Sequence, residues 1–332
     1  MSVRGSFGAL AIGVAMVAIG GCSSSTPGAS PSPIPLAPSP GTGGPPTVTP
    51  DSPSPSTSGT GSGTSGAPKQ VTIAFDGRID VGDGRHVEAR CDGVGTPTIL
   101  IEGDFWKFDF IDRLAHSTTT CVYGRYDTGS ASPAPGEPTM PTYTADVDTL
   151  LATLHREAGI EGPYVFVGWS FGGHLALANA LTHPDDTAGL VILDTDFDTD
   201  FLAECRDSGR TDADCHGEYD GDPAYAIAAE VRAMLRPLPA VPLRLVTSLH
   251  LPDCDPARPD SLRAGIMGRT VEAQDCATLA TKIADLQLKG WRTINPAVEQ
   301  TRVETDHDVV AGATDQVVGI ILDVVELART TP

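Results

Sequence analysis

Thr98-Ile99-Leu100-Ile101, Thr120-Cys121-Val122-Tyr123-Gly124, Tyr164-Val165-Phe166-Val167, Leu190-Val191-Ile192-Leu193 and Leu243-Arg244-Leu245-Val246-Thr247 are short apolar runs, each followed by turn residues. A strand with one wet face alternates polar and apolar residues, whereas an unbroken run of this length reads as a strand buried on both faces. Only a sheet covered by helices on both sides provides that burial. A helical pattern around Ala145–Ala158 (Val147, Leu150, Leu151, Leu154, then Gly159 as the stop) falls between two of the runs. A closing helix carries Val317, Ile320, Ile321, Val324 and Val325 on one stripe. Upstream, Val71 to Ile79 and Arg85 to Cys91 read as a hairpin turned at Asp83-Gly84, and Thr301 to Glu304 is an eighth strand-like run. Strands alternating with helices predict an α/β domain with a doubly wound, mostly parallel eight-stranded sheet. The 49 residues between the sixth and seventh runs are an insertion, and its acidic part, about 197–240, is expected to cap a pocket.

Composition divides the chain in two. Residues 23–68 hold 46 positions, of which 39 are Pro, Ser, Thr or Gly and one, Asp51, is charged. Such a stretch has almost nothing apolar to bury against the entropy of ordering it, and is expected to be a disordered tether. The first 68 residues carry one charge of each sign, Arg4 and Asp51, so the remaining 264 keep 21 Lys+Arg against 42 Asp+Glu and the full net charge of −21. That length suits one large core, and the charge excludes a basic groove for nucleic acid.

Arg4 is followed by an uncharged run of 15 residues, Phe7 to Gly21, short for a bilayer span and built like a secretory signal. Its ending, Ile19-Gly20-Gly21-Cys22, resembles the lipobox of bacterial lipoproteins, which implies a signal peptide over 1–21, lipidation at Cys22 and a domain over 69–332 in the bacterial cell envelope, held to the membrane by a lipid anchor only. Six cysteines remain, an even number in an exported chain, with no C-x-x-C pair or H-E-x-x-H motif. That favours disulfides over zinc, and sequence neighbours suggest Cys91–Cys121, Cys205–Cys215 and Cys254–Cys276.

Gly168-Trp169-Ser170-Phe171-Gly172 is a G-x-S-x-G between the strand Tyr164–Val167 and a helical run from about Gly173 to Leu181. The pentapeptide alone is weak; its position is what matters. A strand that turns into a helix within one residue lifts the serine hydroxyl above the sheet edge, and the helix N-terminus beneath it offers N–H groups to an oxyanion.

The segment Gly162 to His174 is similar to the nucleophile segment of esterase-like members of the α/β-hydrolase superfamily. Leu190 to Asp194 resembles their next strand, and Tyr123-Gly124-Arg125-Tyr126-Asp127-Thr128-Gly129-Ser130 resembles an upstream strand-end signature. The resemblance spans about 71 to 330 and implies a sheet ordered 1-2-4-3-5-6-7-8 with only strand 2 antiparallel. In that order Cys91 and Cys121 are neighbours. The family commonly has His-Gly after strand 3, where this chain has Glu102-Gly103-Asp104. The N–H groups of Phe171 and Asp104 are the expected oxyanion donors, and Glu102 is either a solvated loop charge or a carboxylate aimed into the hole.

The implied chain order of nucleophile, acid and base singles out His307, beyond the eighth strand; His250, after the seventh, is the next candidate. Two acids remain open: Asp194, directly after the sixth strand, and Asp253, after the seventh. The series Asp194, Asp196, Asp198, Asp200 lacks the Gly and Glu of a calcium loop. Trp106, Trp169 and Trp291 are pocket or core residues. The expectation is a serine hydrolase, most simply an esterase, acting on a small-molecule acyl substrate through Ser170, His307 and an Asp, without metal or cofactor. A non-catalytic envelope lipoprotein that uses the same fold for binding is the competing reading.

Overall fold

The computed structural model describes residues 72–102, 108–126, 130–133, 138–196, 227, 230–238, 240–251, 253–266 and 269–330. Cys22, the tether, Asp104, Trp106 and the Cys205–Cys215 pair lie outside the described residues.

Eight strands form one sheet: β1 (Ile73–Gly82), β2 (Arg85–Asp92), β3 (Thr98–Glu102), β4 (Thr120–Tyr123), β5 (Tyr164–Trp169), β6 (Thr187–Leu193), β7 (Leu243–Ser248) and β10 (Glu299–Val303). Their order is β1-β2-β4-β3-β5-β6-β7-β10. β2 runs antiparallel to both neighbours and every other pairing is parallel. This is the order the family resemblance implies, with β10 as its eighth strand. Asp83 and Gly84 turn the first hairpin, both at positive φ. Cys91 and Cys121 stand opposite each other in the β2–β4 register and form a disulfide.

The unbroken apolar runs follow from two covered faces. Leu100, Phe166, Leu190, Ile192 and Leu245 point into one core with α2 (Met140–Ala158) and α3 (Phe171–Thr182). Their neighbours Ile99, Ile101, Val165, Val167, Val191, Leu193 and Val246 point into the other, with α1 (Phe108–Ala115), α5 (Val309–Gly312) and α6 (Thr314–Thr330). Alternate residues of each strand thus serve opposite cores, so neither face of the run alternates with polar residues. α2 begins five residues before the periodic pattern suggested, with Pro141 in its first turn, and it stops at Gly159 in the left-handed conformation. On α6 the buried stripe takes in Val318, while Ile320 is only partly covered.

Part of the segment expected to form a cap belongs to the body of the domain. Ile227 and Val231 pack into the α2–α3 core, and the backbone N–H of Met140 donates to the Glu230 carboxylate. Two features carried no strong sequence signal. One is a small antiparallel pair, β8 (Arg263–Ile266) and β9 (Arg269–Glu272). The other is α4 (Cys276–Arg292), whose N-cap Asp275 accepts from Thr278 N–H at 2.7 Å. The Cys254–Cys276 disulfide ties the start of α4 to the loop after β7.

Candidate active site

β5 is flanked by β3 and β6, and at its C-terminal end Gly168 faces Glu102 while Trp169 faces Leu193. The next residue, Ser170, has φ 50° and ψ −125°. That backbone conformation costs a non-glycine residue about 1–3 kcal/mol and persists only where its surroundings enforce it. Three bonds do so: Ser170 N–H donates to Leu193 O at 2.9 Å, and its carbonyl accepts from Gly173 N–H at 3.0 Å and from Thr195 Oγ1 at 2.8 Å. The turn is also too tight for side chains. A Cβ on Gly168 would lie 2.0 Å from the Gly172 carbonyl oxygen, and one on Gly172 would lie 2.1 Å from the Glu102 carbonyl oxygen. α3 starts at Phe171, so the first N–H groups of that helix, unpaired within it, lie directly beside the serine.

Asp194 follows β6 with φ 47°, its own N–H donating to Val246 O at 2.7 Å. Its carboxylate is buried and accepts three hydrogen bonds. Ser248 N–H reaches Oδ1 at 3.0 Å, Ser248 Oγ reaches Oδ2 at 2.7 Å, and His307 Nδ1 stands 2.8 Å from Oδ2. With Nδ1 donating to a carboxylate, the Nε2 of a neutral imidazole is left as the proton acceptor. The Asp194 hydrogen bond, together with the charges of Asp194, Asp196 and Asp308, raises the imidazole above its ordinary value against the opposing effect of burial. Trp169 holds the His307 loop to the elbow: its Nε1–H donates to His307 O at 2.6 Å, and the two rings lie 5.1 Å apart. Asp196 accepts from Gln287 Nε2 at 2.7 Å, and burial pushes its carboxyl up.

The other sequence candidates fall elsewhere. Asp253 is exposed, beside the disulfide-bonded Cys254, and His250 pairs with Glu304 at 3.3 Å. Trp291 is core, its Nε1–H bonded to Thr195 O at 2.9 Å. Of the two expected oxyanion donors only Phe171 is described; its ring packs edge-on against Tyr143, with the Arg125 guanidinium 4.6 Å above it.

Glu102 overturns both expectations made for it. It is neither solvated nor aimed into an oxyanion hole, because β3 runs one residue past its apolar run and carries the side chain into the core. There Tyr123 Oη donates to Oε2 and Asn179 Nδ2 donates to Oε1, the latter at 2.7 Å. Ser248 was not singled out by sequence; its place at the end of β7, next to the strand that leads into Asp194, was the available signal. Among the described residues no group of three or more His, Cys, Asp or Glu side chains could hold a metal ion.

This arrangement sits in a familiar frame. The model of the alpha/beta hydrolase family matches residues 93–329, and the chain belongs to that family. Among solved structures, a presumptive hydrolase from Agrobacterium vitis aligns over 77% of this chain and 100% of its own, at 16% identity and a TM-score of 0.51. An esterase from Thermogutta terrifontis aligns over 77% of this chain and 100% of its own, at 18% identity and a TM-score of 0.48. An esterase from Exiguobacterium antarcticum aligns over 76% and 99%, at 13% identity and a TM-score of 0.49. No curated protein matches the chain.

Proposed function

We propose that the protein is a serine hydrolase of acyl compounds, with an ester the bond most simply cleaved. The observation that carries this reading is the bond between His307 Nδ1 and the buried Asp194 carboxylate, made where the strained Ser170 tops the elbow. In the proposed reaction, His307 Nε2 takes the Ser170 proton as Oγ bonds to the carbonyl carbon. Asp194 stabilises the imidazolium, and the Phe171 N–H holds the oxyanion, joined by that of Asp104 in this proposal. The intermediate collapses as Nε2 returns the proton to the leaving alcohol, giving an acyl-enzyme. Water then gives a proton to Nε2 and its oxygen to the acyl carbon, and Ser170 recovers its proton as the acid leaves.

The test is labelling by a fluorophosphonate probe. Label on the wild type that vanishes in Ser170→Ala supports the hydrolase; a folded wild-type domain that never labels sinks it and favours a binding protein.

We further propose that the domain is exported and tethered through lipidated Cys22. Two disulfides within the described residues support an oxidising compartment. A Cys22→Ser protein should leave the membrane fraction, and equal retention of variant and wild type would refute the anchor.

A further inference from the structure

Glu102 ends β3 at the point where the sheet meets the elbow. Its backbone pairs with Tyr123 on β4 and Gly168 on β5, and its carbonyl oxygen is the atom that leaves no room for a side chain on Gly172. Its carboxyl group is fully buried, and its two hydrogen-bond donors come from two different elements, Tyr123 at the end of β4 and Asn179 in the last turn of α3. Burying a carboxyl group is costly, and a β3 end that only needed to pack could carry an apolar residue there.

We propose that Glu102 is a positioning residue for the hydrolysis put forward above: its buried carboxyl group, tied to Tyr123 and to Asn179 in the last turn of α3, holds that helix along the end of β3, whose carbonyl oxygen abuts Gly172, and so fixes the Phe171 N–H where the oxyanion forms. The inference rests on that reading of the site.

The two donors identify the form that locks. Tyr123 and Asn179 each give a proton to a different oxygen of Glu102, which completes the set for a carboxylate. Protonation places a third donor in the cluster, and the acceptor left for it is Asn179 Oδ1, which is buried without a hydrogen-bond partner among the described residues. To use it the amide must turn, which reverses the bond between β3 and α3 and takes the Asn179 Nδ2 donor away from Glu102. The cluster therefore holds tightest when Glu102 is ionised. Burial opposes that ionisation and raises the group to about 7. Few charges face it. β5 offers Gly168, which has no side chain; the one titratable residue of α3, His174, is lowered to about 4 by burial and stays neutral; Arg125 and Asp146 act on Tyr123. Tyr123 itself is pushed well above the ordinary phenol range by burial and by Glu102, so it remains a donor.

The experiment compares kcat and KM of the wild-type protein and Glu102→Gln on p-nitrophenyl acetate across the neutral range. The substituted side chain would present an amide N–H₂ to one of the two donors, so the variant is expected to lose about tenfold in kcat at alkaline pH, less than the loss of an oxyanion donor outright, with KM unchanged within about twofold. Below pH 7 the wild-type log kcat should fall more steeply than one proton allows, as both His307 and Glu102 are protonated, and Glu102→Gln should fall with a single proton. Tyr123→Phe, which removes one donor and keeps the ring, should show a smaller loss of the same kind. A variant whose profile superimposes on the wild type, or one whose loss only tracks the fraction unfolded, overturns the proposal. A wild-type protein without turnover breaks the hydrolase reading and this inference with it.

Discussion

Two carboxyl groups flank the end of β5, Glu102 on β3 and Asp194 just past β6, and both are almost sealed from solvent. Their partners set them apart. Asp194 receives a backbone N–H, a hydroxyl and an imidazole that can carry a positive charge. Glu102 receives a phenol and an amide, neither of which becomes a cation. A buried carboxylate beside a group that can take up a proton stabilises that proton, and the effect is visible in the raised imidazole of His307. A buried carboxylate among neutral donors has no such counter-charge, and burial raises its own proton affinity instead. Similar burial thus raises an imidazole on one side of the serine and the carboxyl group itself on the other.

The sharpest way to break this contrast is Asp194→Asn. It should cut kcat by about a thousandfold to ten-thousandfold, because an amide no longer fixes the imidazole tautomer. It should also move the acidic limb of the rate profile down, since the hydrogen bond that raises His307 is lost; the base works when neutral, so activity would persist to lower pH in what remains. Asp253→Asn should change kcat by less than about twofold. Equal losses from the two variants, measured on one ester, would remove Asp194 from the proposed role.

A smaller effect concerns stability. The folded protein holds the Glu102 proton up to about 7, whereas the unfolded chain releases it near 4.5. Between those values the native state binds more protons, so stability falls as pH rises through the window, by about 3 kcal/mol from this group. Glu102→Gln should flatten that part of the profile. Urea midpoints of both proteins at the two ends of the window decide it, and parallel slopes would show that Glu102 is not buried as described.

What was readable in the sequence follows from the same physics. Strands that feed two cores are apolar on both faces along their centres, so Ile99 to Ile101, Val165 to Val167 and Val191 to Leu193 stand out as runs. The strand order came with the family resemblance and the Cys91–Cys121 pair with the spacing of the cysteines, and the register has the two cysteines face to face. The β8–β9 pair is short and lies outside the main sheet, so it carried no such run. α4 had a readable start in Asp275 and a buried face in Leu279, Ile283 and Trp291, but it follows an inserted stretch whose register is not given by periodicity. The choice between Asp194 and Asp253 was not readable because both follow strands on the same edge of the sheet. What separates them is the left-handed backbone of Asp194 and the Ser248 donors, which are properties of the folded neighbourhood. Glu102 was misread because an acidic residue after an apolar run looks like the start of a loop. Its partners, Tyr123 and Asn179, are polar residues at otherwise apolar positions, and they were the clue.

The crowding at Gly168 and Gly172 also bears on how such chains can drift over time. Backbone atoms, rather than any reacting group, exclude a side chain at both positions. A descendant that had lost all hydrolytic activity would still be obliged to keep those two glycines in order to fold, while its residue 170 would be released to vary. The glycines of the pentapeptide are therefore a record of architecture, and of the two glycines and the serine only the serine bears on the proposed chemistry.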